Sequence, residues 1–155
     1  MPLIGLDKVE KAIDNIVLEQ NEKVKAIYIQ GLSAIITQTP VSFKDGGRLR
    51  NNWFLTVGAP SGSYGREPEG KAATGSHASV SKMPNYVLDK DIYFTNNSPY
   101  ANIVEYGLYP KNPKLGSFTG SSYQKLSTNG YSDQLPKEPP RGMARTNIIK
   151  MSKKL

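Results

Sequence analysis

A chain of 155 residues with 37% hydrophobic content, 14 Gly and 11 Pro is the right size for one domain with a single core, and it is richer in turns than most. No apolar run approaches a membrane span, and zero Cys excludes a disulfide framework and thiol chemistry. The net charge of +7 is uneven: residues 1–40 hold four Lys against five Asp and Glu, so the remainder carries +8.

Met1 leads into a polar amphipathic stretch without a basic region followed by an apolar run, so synthesis in a cytoplasm is expected. From Leu6 to Ile36, the apolar positions Leu6, Val9, Ile13, Ile16, Val17, Val24, Ile27, Leu32 and Ile35 recur at steps near three and four, which predicts an amphipathic helix. Such a helix is roughly 45 Å long, against a radius of gyration of about 15 Å for a domain of this length. If straight, it overhangs its own domain, and the overhanging stripe needs cover from another copy or another protein. The alternative is a bend at Gly31 or near Gln20-Asn21-Glu22, where the stripe is interrupted.

Pro40 ends the helical pattern and holds Thr39 out of the α region. Asp45-Gly46-Gly47 supplies a turn able to reach positive φ. Leu49, Trp53, Leu55 and Val57 then fall at even spacings, which predicts a strand near 49–57 with Arg48, Arg50 and Asn52 on its other face.

Residues 58–84 and 109–140 are dense in Gly, Ser, Pro, Ala and Asn without a sustained apolar period, and are expected as long loops. Gly65 to Ala72 has the spacing of a phosphate-binding loop, but Ala72 stands where a hydroxyl must hold magnesium, and two glutamates repel phosphate. Gly62-Ser63-Tyr64-Gly65 lacks the flanking helices of an RNA-clamping loop. His77 has no companion ligand and is expected as a solvated loop residue. Val80 and Tyr86 to Leu88 are candidates for one or two further strands. Asn129-Gly130, flanked by Leu126 and Tyr131, marks either a hairpin or a surface loop with an incidental turn.

Asp91 to Asn96 has the β-branched and aromatic content of a strand. Ser98 then reads as the cap of a short helix at 99–106, with Pro99 in its first turn and Gly107 beyond its end. Glu105 is a carboxylate in an aromatic setting, and a pairing with Arg48, Arg50 or Arg145 is expected. A C-terminal element begins near 142, and the last fifteen residues hold Arg141, Arg145, Lys150, Lys153 and Lys154 without an acid, suited either to nucleic acid or an acidic protein surface or to a solvated tail completing a helix C-terminus. The elements add up to an α+β fold: a long N-terminal helix packed on a small, mainly antiparallel sheet, with a short second helix and a C-terminal element, in one domain spanning 1–155.

Three stretches carry a resemblance. Thr39-Pro40-Val41 with Gly47-Arg48-Leu49-Arg50-Asn51-Asn52-Trp53, then Asn97-Ser98-Pro99-Tyr100-Ala101 with Glu105-Tyr106-Gly107, then Pro140-Arg141-Gly142-Met143-Ala144-Arg145 follow one another in the chain. In type and order they resemble the neck and tail-completion proteins of long-tailed bacteriophages. With the N-terminal helix they cover roughly two thirds of the chain. Two departures stand out: Ser42 to Gly46 replaces a shorter link, and the residues from Leu108 to Glu138 sit where the family has only a few.

The resemblance implies a non-enzymatic virion component of the tail or neck, made in the host cytoplasm. It would form a homo-oligomeric ring, six copies in the family, at the joint between head and tail. Its partners would be a head-closure or connector protein on one side and a tail-terminator or tail-tube protein on the other, with DNA passing through the channel without sequence readout and no membrane partner. No catalytic residue, metal ligand or cofactor is expected. Arg48, Arg50, Trp53, Tyr100, Glu105, Tyr106, Arg141 and Arg145 are the expected interface residues, with Trp53, Tyr100 and Tyr106 as core or interface anchors. A tail-terminator ring is the alternative within this class, and a free-standing basic nucleic-acid-binding protein the alternative outside it.

Overall fold

The computed structural model describes residues 5–41, 46–106 and 142–155, together with four two-residue strands between 118 and 131. The expected α+β architecture is present. Helix α1 (Leu6–Gln38) is followed by a single turn α2 (Arg48–Asn51), strand β1 (Phe54–Val57), helix α3 (Thr74–Val80), strand β2 (Ile92–Thr95) and helix α4 (Ala101–Tyr106). Helix α5 (Arg145–Ser152) closes the chain. Between α4 and α5, β3 (Phe118–Thr119) pairs with β4 (Ser122–Tyr123), and β5 (Leu126–Ser127) pairs with β6 (Gly130–Tyr131). The Leu126↔Tyr131 pair is the one that flanks the expected hairpin turn.

Helix α1 runs unbroken for 33 residues, roughly 50 Å. Only its second half meets the core, where Leu32, Ile35 and Ile36 are buried with Leu49, Trp53, Leu55, Val80, Met83, Val87, Val104 and Met143. The interruption at Asn21 is not a bend. Asn21 is buried on the same face as the apolar stripe, its amide donating to Asn85 O (2.8 Å) and accepting from Val87 N–H (2.7 Å). It marks the last point at which the domain covers the helix, and every residue from Leu6 to Gln20 is exposed.

Strands β1 and β2 form an antiparallel pair in the register Phe54↔Thr95 to Val57↔Ile92. The other edge of β1 would leave backbone donors open. Helix α3 closes it with two hydroxyls: Ser76 Oγ accepts Trp53 N–H (2.9 Å) and Ser79 Oγ accepts Leu55 N–H (2.8 Å). Helix α5 crosses α1 at Gly31, where a Cβ would lie 2.1 Å from Met151 Sδ. Asn147 ties it down by donating to Gln38 Oε1 (2.9 Å) and Met143 O (2.8 Å).

Four sequence expectations are corrected. Residues 48–51 form a helical turn rather than the start of a strand, so Asn52 is buried while Val57, expected on the apolar face, is exposed. The 58–84 stretch contains α3, which includes Val80 and a half-buried His77 instead of a strand residue and a solvated loop residue. Tyr86 to Leu88 form no strand; Val87 is buried through its bond to Asn21. Ser98 does not cap α4 through its hydroxyl, which is buried without a hydrogen-bond partner among the described residues; Ser98 O instead accepts Ala101 N–H.

The turn at Gly46-Gly47 does reach positive φ, at 54° and 94°. A Cβ on Gly47 would lie 2.1 Å from Gly70 O, against a backbone that cannot swing away. Gly47→Ala is therefore expected to cost about 2 kcal/mol, the left-handed penalty plus the collision. A urea melt with an unchanged midpoint would contradict it.

Candidate assembly interface

The first motif clasps the end of α1. Thr39 O accepts Arg50 Nε–H at 2.7 Å, which places a cation at the negative end of the long helix. Thr39 Oγ1 donates to Ile35 O (2.7 Å) and accepts Trp53 Nε1–H (2.9 Å), and the indole stacks on Phe94 with centroids 4.9 Å apart and planes 9° from parallel. Burial depresses the Arg50 pKa, yet a guanidinium stays charged.

Asn51 and Asn52, buried beside Trp53, pin the following loop. Asn52 Oδ1 accepts Gly65 N–H and Arg66 N–H (both 2.9 Å), while its amide donates to Arg48 O (2.7 Å) and Arg66 O (3.0 Å). Asn51 donates to Glu67 O (2.8 Å) and accepts Ser76 N–H (3.2 Å). Arg66 returns to Trp53 O (2.8 Å) and lies 3.8 Å over the Phe54 ring. Two backbone donors of the phosphate-loop look-alike are thus spent on Asn52. Glu69 caps α3, accepting from Thr74 N–H (2.7 Å) and Thr74 Oγ1–H; these bonds hold its carboxyl below the usual range.

The second and third motifs meet at Glu105. Its carboxylate accepts Met143 N–H (2.8 Å), Ala144 N–H (2.9 Å), Arg145 N–H (2.9 Å) and Arg145 Nε–H (3.1 Å), capping the start of α5. Burial works against the charge, but the backbone donors of Ala144, Arg145 and Met143, with the Arg145 side chain, outweigh it and lower the pKa. Gly142, at φ 86°, is required there, since a Cβ would come within 2.6 Å of Glu105 Oε1. Arg145 also donates to Glu105 O (2.8 Å) and covers the Tyr106 ring at 4.6 Å.

The structure therefore brings Glu105, Tyr106 and Arg145 into one cluster, and Arg50 with Trp53 into another. Of the three arginines considered for Glu105, Arg145 is the partner. Trp53 and Glu105 are 5% and 8% exposed, and their polar contacts lie within the chain. Arg48 is partly exposed and reaches Arg66 O and Glu67 at 3.5 Å. Tyr100 packs half-buried against the core, Tyr106 is 54% exposed, and Arg141 lies outside the described residues.

The longest run of outward-facing apolar side chains among the described residues is elsewhere, on the first half of α1. Leu6, Val9, Ile13, Ile16 and Val17 lie on the helix face that farther along meets the core at Val24, Tyr28 and Ile35. Leu6, Val9, Ile13 and Ile16 are each 52–58% exposed. Sequence reasoning missed Asn21, Asn51, Asn52, Ser76 and Ser79 as the polar pins of the core. The signal was the pair of amides next to Trp53, where an all-apolar neighbourhood would otherwise be expected. No protein-family model, curated protein or solved structure matches the chain.

Proposed function

We propose that this chain is a structural subunit of a tailed bacteriophage that closes into a ring at the head–tail joint, meeting a connector or head-closure protein on one face and a tail protein on the other. The observation that carries the reading is the uncovered apolar face of α1 from Leu6 to Val17, continuous with the face its second half buries. A face of this kind is stable in water only when something covers it. The three motifs in family order supply the context, and the basic remainder of the chain suits a channel that holds DNA through its phosphates.

Within this reading the motifs serve rigidity. Arg50 and Trp53 lock one end of the projecting helix, Glu105 locks α5 against the core, and the arm is thereby held at a set angle for its neighbour. Electron microscopy of particles assembled without this protein tests the role: filled heads separate from finished tails are expected. Normally joined particles would dismiss it. Binding of duplex DNA by the isolated chain at nanomolar concentration and physiological salt would favour a free-standing nucleic-acid-binding protein instead.

A further inference from the structure

The arm and a groove on the same chain are complementary, and the arm cannot reach its own groove. Beside Met151, between α1, β2 and α5, lies a half-open cavity of about 200 Å³ lined by Tyr28, Leu32, Ile92, Phe94 and Met151, with Lys90 beside them. It exceeds the roughly 150 Å³ at which an apolar cavity admits a benzene-sized guest. On the other side of Met151 a smaller cleft of about 90 Å³ runs past Ile27 and Gly31 and is flanked by Lys150 and Lys154. Lys90 reaches its neighbour Asp89, while Lys150 and Lys154 make no ion pair among the described residues.

The arm carries the opposite charge. Asp7, Glu10 and Asp14 fall along one flank of its apolar stripe, at steps of three and four, and none makes an ion pair among the described residues. Glu10 and Asp14 are four apart, a like-charge spacing that disfavours the isolated helix. Cationic partners beside the stripe would relieve it. Two arms packed antiparallel would set these acidic flanks against each other, and packed parallel would set them against the opposite flank, where Lys8 is the one cation before Lys23 because Lys11 lies on the helix face away from the stripe. The groove, with lysines around apolar walls, is the better match. A single rigid helix contributes both the arm and one wall of the groove, so the arm cannot fold back into it.

Resting on the ring reading above, we propose that the α1 arm of one copy lies in the Met151 groove of the next, its aliphatic side chains beside Tyr28, Ile92 and Phe94 and its carboxylates facing Lys90, Lys150 and Lys154. The two patches differ, so the contact is head-to-tail, and such contacts repeat until they close.

The test is charge reversal followed by native mass measurement. The wild-type chain is expected as a multimer of one discrete mass. An arm variant (Asp7→Lys, Glu10→Lys, Asp14→Lys) and a groove variant (Lys90→Glu, Lys150→Glu, Lys154→Glu) should each need roughly tenfold or more protein to assemble. Thermal melting compared at concentrations where neither chain is assembled should be little changed, because all six positions are exposed. Combining the two sets in one chain, or mixing the two variants in equal amounts, should restore assembly. A wild-type multimer that tolerates either reversal, or reversed variants that fail to complement, would overturn the arm-in-groove contact and leave the ring standing. A wild-type chain that stays monomeric at the highest attainable concentration would remove both.

Discussion

Trp53→Ala is expected to lower the unfolding free energy by about 4 kcal/mol, as for large-to-small changes at well-packed aromatic sites. Trp53 is 5% exposed, stacks on Phe94 across the sheet, and donates to Thr39 at the end of α1. Its removal opens a cavity where helix, turn and sheet converge. It also leaves Thr39 Oγ1 without its buried donor. Against a total stability of about 5–15 kcal/mol for an ordinary domain, the variant should be partly unfolded near room temperature. Trp53→Phe separates the contributions: it keeps most of the stack, loses the indole N–H, and should cost about 1 kcal/mol from the hydrogen bond. Equal urea midpoints for Trp53→Ala and wild type would show that the indole is not the keystone described.

Glu105→Ala should cost about 3 kcal/mol, because three backbone N–H groups and a guanidinium lose one shared acceptor at the start of α5. Arg145→Met is the control. The Arg145 side chain is half exposed, so its loss should matter by less than about 1 kcal/mol while the three backbone donors keep their acceptor. The acid dependence follows from the lowered pKa of Glu105. In the unfolded chain the group titrates near the ordinary value of about 4.3. Its folded pKa lies lower, so its contribution is complete above that ordinary value and is lost as the pH falls through the folded one. The stability gap between wild type and Glu105→Gln should hold from neutrality to about pH 5 and narrow below about pH 4. A gap that stays constant on acidification would mean that the charge of Glu105 does not matter.

The misreadings have specific physical causes. A spacing of four, as between Leu49 and Trp53, is even and also close to one helical turn, so periodicity alone fits a strand or a helix. The glycine pair and the buried Asn52 decide it, since Asn52 can reach Arg48 O only after a helical turn. Helix α3 was hidden because Thr74-Gly75-Ser76-His77-Ala78-Ser79-Val80 is poor in helix formers. It forms because Glu69 caps it and because Ser76 and Ser79 supply acceptors to an otherwise open strand edge. The expected Ser98 cap failed because the start of α4 is held through backbone atoms, while Asn96 Oδ1 accepts Ser98 N–H at 3.1 Å.

Local chemistry in the sequence determined the long helix, the breaks at Thr39-Pro40 and Gly46-Gly47, the β2 segment, the short helix before residue 107 and the α+β class. Each depends on neighbours within a few positions, where periodicity and dihedral preference act. Tertiary structure alone decided which arginine Glu105 takes, that Asn21 ends the covered part of α1 instead of bending it, and that Trp53 serves the core. Those outcomes require groups 14 to 66 residues apart to meet at hydrogen-bond distance. Only the fold brings them together, and so only the fold shows which half of the apolar stripe is left for a partner.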